Sequence, residues 1–196
     1  MTQFTKNEKK ALLILFKDIF SYYNANSLSK KLGISRIGSM KMLKKFEKDN
    51  VLKSEKIGKS IVYKPNLKYD YVIDLISFLL SDEANNFKRW KEEFKDLFKE
   101  NRIIMLYGST ITNYSKAADI DVMIIRKEGE SGEVHRAIME KQRIIPKKIH
   151  AIDLSAEEFL SNARERQKAI IDIIRTAIIL YGQKRYVELI NNVSSF

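Results

Sequence analysis

Asp119 and Asp121 stand one residue apart at the head of an apolar run, Ile120 to Ile125, and Gly108-Ser109-Thr110 closes another such run, Arg102 to Tyr107. On a strand, alternation puts both carboxylates on one face. Carboxylates that close repel, and the pair is relieved either by a proton on one of them or by a cation. Hard oxygen donors select Mg2+ or Mn2+. Gly108 lets backbone approach a ligand closely, and the hydroxyl and N–H groups of Ser109 and Thr110, if they open a helix, face phosphate oxygens. Either segment alone is common, since Asp-x-Asp arises by chance and Gly-Ser is usually a turn. Together they suit a metal-chelated phosphate.

Composition excludes several other chemistries. Cys is absent and there are 2 His, His135 and His150. A disulfide framework and a thiolate metal site are therefore excluded, a zinc site built mainly on imidazole is not expected, and any metal must sit on oxygen ligands. With 196 residues, 44% hydrophobic and 31% charged, the chain is globular and long enough for two small domains. No apolar run approaches the ~20 residues that span a bilayer, and the first ten residues lack the apolar core of a signal peptide. The expectation is a cytoplasmic protein with no membrane partner.

The net charge of +11 is unevenly spread: residues 1–66 carry 15 Lys and Arg against 5 Asp and Glu, a net +10, and the remainder 21 against 20, a net +1. Segregation of this kind points to a polyanion partner for the first part of the chain. There, Leu12, Leu13, Leu15, Phe16, Ile19 and Phe20 recur at helical spacing and predict a helix over 6–23. Ser27 is placed to cap a short helix through Leu32, Gly33 breaks it, and Ser35 caps a second helix over 36–49. In that helix Met40, Leu43 and Phe46 are expected inward, with Arg36, Ser39, Lys41, Lys44, Lys45 and Lys48 outward. Two strands, 51–56 and 60–65, follow around Ile57-Gly58-Lys59.

Residues 26–65 resemble the winged helix-turn-helix family. The resemblance implies that the second helix enters the major groove while the hairpin touches the flanking backbone. It assigns Ser35, Arg36 and Ser39 to base edges, and Lys41, Lys44, Lys45, Lys56 and Lys59 to phosphates. It also implies a homodimer reading two half-sites; a fold of this kind used for protein contacts is the alternative.

Between residues 67 and 101 two helices are expected, 69–80 and 84–99, the second carrying Phe87, Trp90, Phe94, Leu97 and Phe98 on one face as a seam between domains or subunits. Beyond it, a flexible stretch is read over 129–133, a helix over 134–142, a basic cluster of Lys141, Arg143, Lys147 and Lys148, a strand over 149–154, an apolar helix over 163–180 stopped at Gly182, and fraying over 193–196.

The order apolar strand, Gly108-Ser109, spacer, Asp119-Ile120-Asp121 resembles the nucleotidyltransferase superfamily related to DNA polymerase β, over residues 103–189. The expected fold class is thus α+β: a winged helix-turn-helix over 1–66, connecting helices over 67–101 and a mixed-sheet nucleotidyltransferase-like domain over 102–196. The resemblance implies Mg2+- or Mn2+-dependent transfer of a nucleoside monophosphate from a nucleoside triphosphate to a hydroxyl, with Asp119 and Asp121 on the metal and Gly108, Ser109 and Thr110 on the phosphates. Small members of that family also act on toxin-like partner proteins. Ala118 and Asn113 depart from the family's usual Ser and Gly. The family's third carboxylate has two candidates here: His150 aligns with it, while Asp153, three residues on, reaches the same face only through a bulge. Both an active transferase and a regulator that binds nucleotide without catalysis fit the pattern.

Overall fold

The structure is a computed structural model and describes residues 4–193. The chain is a mixture of helices and sheets of the α+β kind. It divides into two compact units, Met1–Leu79 and Leu80–Phe196. The segment 67–101, expected to connect two domains, is therefore shared between the units.

In the first unit, α1 (Lys6–Lys17) opens on a reciprocal cap: Thr5 N–H donates to Glu8 Oε2 (2.8 Å) and Glu8 N–H to Thr5 Oγ1 (3.2 Å). The helix stops at Lys17, short of the expected Tyr23, because Tyr23 forms a backbone bridge to Tyr63 and its hydroxyl donates to Asp18 (2.7 Å). Long-range pairing has overridden helical spacing. The next helix, α2 (Ala25–Leu32), begins earlier than expected. Asn24 is its cap, accepting from the N–H groups of Asn26 and Ser27, while the Ser27 hydroxyl accepts the N–H of Asn24. Ser27 is thus the second half of the cap.

Gly33 ends α2 in the left-handed region, and Ser35 caps α3 (Arg36–Lys48), as expected. The inward face of α3 differs from expectation: Ser39, Leu43 and Phe46 are buried and Met40 is 39% exposed. At about 100° per residue, positions 39, 43 and 46 span an arc of about 60°, whereas 40, 43 and 46 spread over about 120°. The narrower stripe faces the core. An antiparallel hairpin follows, β1 (Leu52–Ile57) and β2 (Ser60–Pro65), turning on Gly58-Lys59.

Helix α4 (Asp70–Ala84) runs through the point where the units divide. The single helix expected over 84–99 is instead a 3-10 turn, the short α5 (Lys88–Glu93) and a second 3-10 turn. Trp90, Phe94 and Leu97 are buried in the core of the second unit with Ile104, Val122 and Leu180. The aromatic stripe is core, not a seam, and the backbone departs from helical geometry at Phe87 and Phe94.

That core lies on one face of a four-stranded sheet of order β5-β4-β3-β6, made of β3 (Ile103–Tyr107), β4 (Asp119–Arg126), β5 (Lys148–Ser155) and β6 (Ile178–Tyr181). Strands β3 and β4 are antiparallel, β4 and β5 parallel, and β3 and β6 antiparallel. The interior pair, β3 and β4, reads as unbroken apolar runs because both faces are covered. A four-residue α6 (Ser109–Thr112) follows β3, and α7 (Ser131–Ile144) makes the crossover from β4 to β5, absorbing part of the stretch expected to be flexible. Buried Arg102 ties the start of β3 to the start of α7, donating to Glu130 (2.8 Å) and lying 3.1 Å from Glu133. After β5 come α8 (Ala156–Arg164) and α9 (Lys168–Thr176). The expected helix over 163–180 is therefore interrupted after Arg164, and its last residues form β6 at the sheet edge. Short apolar runs suit a buried strand and a buried helix equally, and pairing with β3 decides. Helix α10 (Gln183–Asn191) completes the fold. Val193 is buried, contrary to the expected fraying, and residues 194–196 lie outside the described residues.

Candidate functional site

The carboxylates of Asp119 and Asp121 share one face of β4, opposite the face whose Ile120, Val122 and Ile124 enter the core. The parallel neighbour β5 pairs Asp121 directly with His150. His150 Nδ1 lies 2.9 Å from Asp119 Oδ2 and 3.7 Å from Asp121 Oδ1. One donor atom from each of the three residues falls within 4.8 Å of the others. Burial and then the neighbouring Asp119 raise the Asp121 carboxyl above its ordinary range, against the opposing pull of His150.

Gly108 brings the backbone up against this cluster. Its φ of 74° and ψ of −160° fall where side chains are essentially excluded, and a Cβ there would lie 2.1 Å from Asp121 Oδ2. Ser109 is exposed beside it, at the start of α6. Thr110 is not available to a ligand, contrary to expectation: it is 3% exposed and its hydroxyl donates to the backbone oxygen of Asp119 (2.8 Å). It fixes the strand that carries the carboxylates.

Asp153 does not join the cluster. The β4–β5 register runs without a break from Asp119↔Lys148 to Arg126↔Ser155, which keeps Asp153 beside Ile124 on the opposite face. No bulge brings it round. Its carboxylate accepts from Arg126 Nε (2.7 Å) and Ser131 Oγ (2.6 Å).

Two residues of the site escape sequence reasoning. Tyr107 pairs with Asp121 across β3 and β4, and burial, then the charges of Asp121 and Asp119, push its hydroxyl up to about 12. Its position at the strand end before Gly108 was the available signal. Lys147, expected in a basic cluster, turns its ammonium inward and donates to the backbone oxygens of Tyr114 and Ala117, holding the loop that leads into Asp119. Lys141 pairs with Asp96 (2.6 Å). Neither is a loose cation of the kind the sequence suggests.

On α3 the assigned residues separate. Arg36, Lys41 and Lys44 are exposed, as are Lys56 and Lys59 on the hairpin. Ser35 spends its oxygen as the helix cap, accepting from Gly38 N–H (3.1 Å). Ser39 is fully buried, so it cannot reach a base edge. Lys45 is held to the nearly buried Glu8 at 2.6 Å. The exposed surface of α3 includes two apolar side chains instead, Ile37 and Met40.

No family model and no curated protein matches the chain. Among solved structures it is similar to a variant of ZitR from Lactococcus lactis, with 14% identity and a TM-score of 0.37, over 48% of this chain and 63% of that one. Among the described residues no helix is long and apolar enough to cross a membrane.

Proposed function

We propose that this protein binds DNA through its first unit and a divalent cation with a nucleoside triphosphate through its second, as a member of the nucleotidyltransferase class that residues 103–189 resemble. The observation that carries the second half is the convergence of Asp119, Asp121 and His150 beside the side-chain-free backbone of Gly108. The donor set suits a divalent ion, with both carboxylates on one face and that of Asp121 raised by burial and then by the neighbouring Asp119. When bound, such an ion supplies neutralisation of phosphate charge and polarises oxygen. Gly108 admits the phosphates close to the backbone, and the Ser109 hydroxyl and N–H donate to their oxygens. Thr110 and Lys147 hold the loop and strand that aim Asp119.

In the first unit the order of helices and hairpin supports a winged helix-turn-helix. Arg36, Lys41 and Lys44 on α3 with Lys56 and Lys59 on the hairpin neutralise backbone phosphates, which is what the +10 charge of residues 1–66 supports. A second reading, in which nucleotide is sensed and not transferred, is favoured by the placement of Asp153 away from the cluster, since no third carboxylate then activates an acceptor.

Calorimetric titration of Mg2+- and Mn2+-nucleoside triphosphates into wild type and an Asp119→Asn, Asp121→Asn variant tests both readings. Metal-dependent binding that disappears in the variant supports the site. Wild type that binds nothing removes the nucleotide function and leaves DNA binding alone.

A further inference from the structure

We infer that this site takes a first-row transition-metal dication in preference to Mg2+, with Nδ1 of His150 as its third protein ligand. The inference rests on the reading of Asp119 and Asp121 as cation ligands. It departs from the three-carboxylate, Mg2+-binding arrangement that the resemblance implies.

Three observations carry it. First, the unbroken parallel register fixes His150 directly against Asp121, so the imidazole belongs to the site by backbone pairing and not by a chance rotamer. Second, Nδ1 faces both carboxylates, at 2.9 and 3.7 Å. Donors bonded to one ion at about 2.1 Å lie no more than about 4.2 Å apart, so these separations already suit shared coordination. Third, the chain's other candidate for a third oxygen donor, Asp153, is bonded to Arg126 and Ser131 on the opposite face. The donor set is therefore two oxygens and one nitrogen.

Imidazole adds to the binding of first-row dications, more for Co2+ and Zn2+ than for Mn2+, and adds little for Mg2+, a hard ion that keeps its waters. To ligate a cation, Nδ1 would present its lone pair, with the ring N–H on Nε2. The His150 side chain is half-exposed.

The test uses the full chain and Mn2+ as probe, followed by electron paramagnetic resonance, with Mg2+ and Co2+ as competitors and thermal unfolding to confirm that each variant is folded. Wild type is expected to bind Mn2+ at least about tenfold more tightly than Mg2+, and His150→Ala to weaken Mn2+ about tenfold while changing Mg2+ less than about twofold. His150→Asp is expected to strengthen Mg2+ binding relative to wild type, because it supplies a third carboxylate. Electron spin-echo modulation from a directly bonded nitrogen should appear in wild-type Mn2+ complexes, a readout that needs no variant. Absence of that modulation, or equal weakening of Mn2+ and Mg2+ in His150→Ala, overturns the inference while the Asp119–Asp121 site stands. Wild type that binds neither ion, or binds both unchanged in the double Asn variant, overturns the site reading itself and the inference with it.

Discussion

The exposed cations of α3 and the Asp119–Asp121–His150 cluster are the two charged regions on which the proposed functions rest, and they are arranged in opposite ways. On α3, Arg36, Lys41 and Lys44 project separately into solvent. Each would act on its own phosphate, so the effect of losing one is modest and nearly additive, and salt screens them all. In the second unit, like charges are held within a few ångströms by strand alternation and strand pairing, on partly buried positions. There, on the proposed reading, cation binding depends on the distances, and a displacement of one group would disable the whole. The difference between a charged surface and a charged site is thus one of rigidity and dielectric, not of charge count.

The largest expected effect follows from that contrast. Gly108→Ala places a Cβ against Asp121 in a backbone region that costs of order 1–3 kcal/mol for a non-glycine residue. The terminal carboxylate can swing aside, so stability should fall by about 2 kcal/mol in urea unfolding while cation-dependent binding is lost. Full retention of binding would break the claim that geometry governs this site.

On the first unit, Lys44→Ala should weaken duplex binding several-fold and lower the slope of log affinity against log salt by about 0.9, one phosphate's share. Lys45→Ala should leave that slope unchanged, because Lys45 is occupied by Glu8, and should instead cost about 1 kcal/mol of stability measured by denaturant. If the two lysines behave alike, the division of α3 into free and engaged cations fails.

Acid should expose the same pair. Burial alone would raise the Glu8 carboxyl, but hydrogen bonds from Lys45 and Thr5 outweigh it and hold the group below its ordinary 4.5. A depressed carboxylate contributes stability that is present above 4.5 and lost as pH falls through the lower folded value. The wild type should therefore lose more stability than Glu8→Gln between pH 5 and 3, a comparison that thermal melts over that range make directly. Smallest of all, Ser39→Ala should change stability by less than about 0.5 kcal/mol or raise it slightly, since the Ser39 hydroxyl is buried without a hydrogen-bond partner. It should not alter DNA affinity in an anisotropy titration.

Much of this arrangement is legible in the sequence because it is local. Gly33 as a helix stop, Ser35 as a cap, the hairpin about Gly58, the apolar runs of β3 and β4 and the shared face of Asp119 and Asp121 each follow from a few neighbouring residues. Where reading fails, a distant partner has intervened. Ile178–Tyr181 carries the same apolar character as the helix before it, and its pairing with β3 makes it a strand. Trp90, Phe94 and Leu97 keep helical spacing, yet they fill the core above the sheet along a broken segment. Lys45 and Lys147 look alike with the other lysines until Glu8 and a set of backbone oxygens claim them.

By itself, the sequence determined the concentration of positive charge in residues 1–66, the helix caps, the alternation that unites Asp119 with Asp121, and the glycine that stands beside them. Only the tertiary structure decided that His150 and not Asp153 completes the cluster, and that Met40 and not Ser39 turns outward. The physical reason is that caps and alternation are settled by steric and hydrogen-bonding rules within a few residues. Strand register and burial are instead settled by backbone pairing and apolar packing between segments tens of residues apart, which no local spacing encodes.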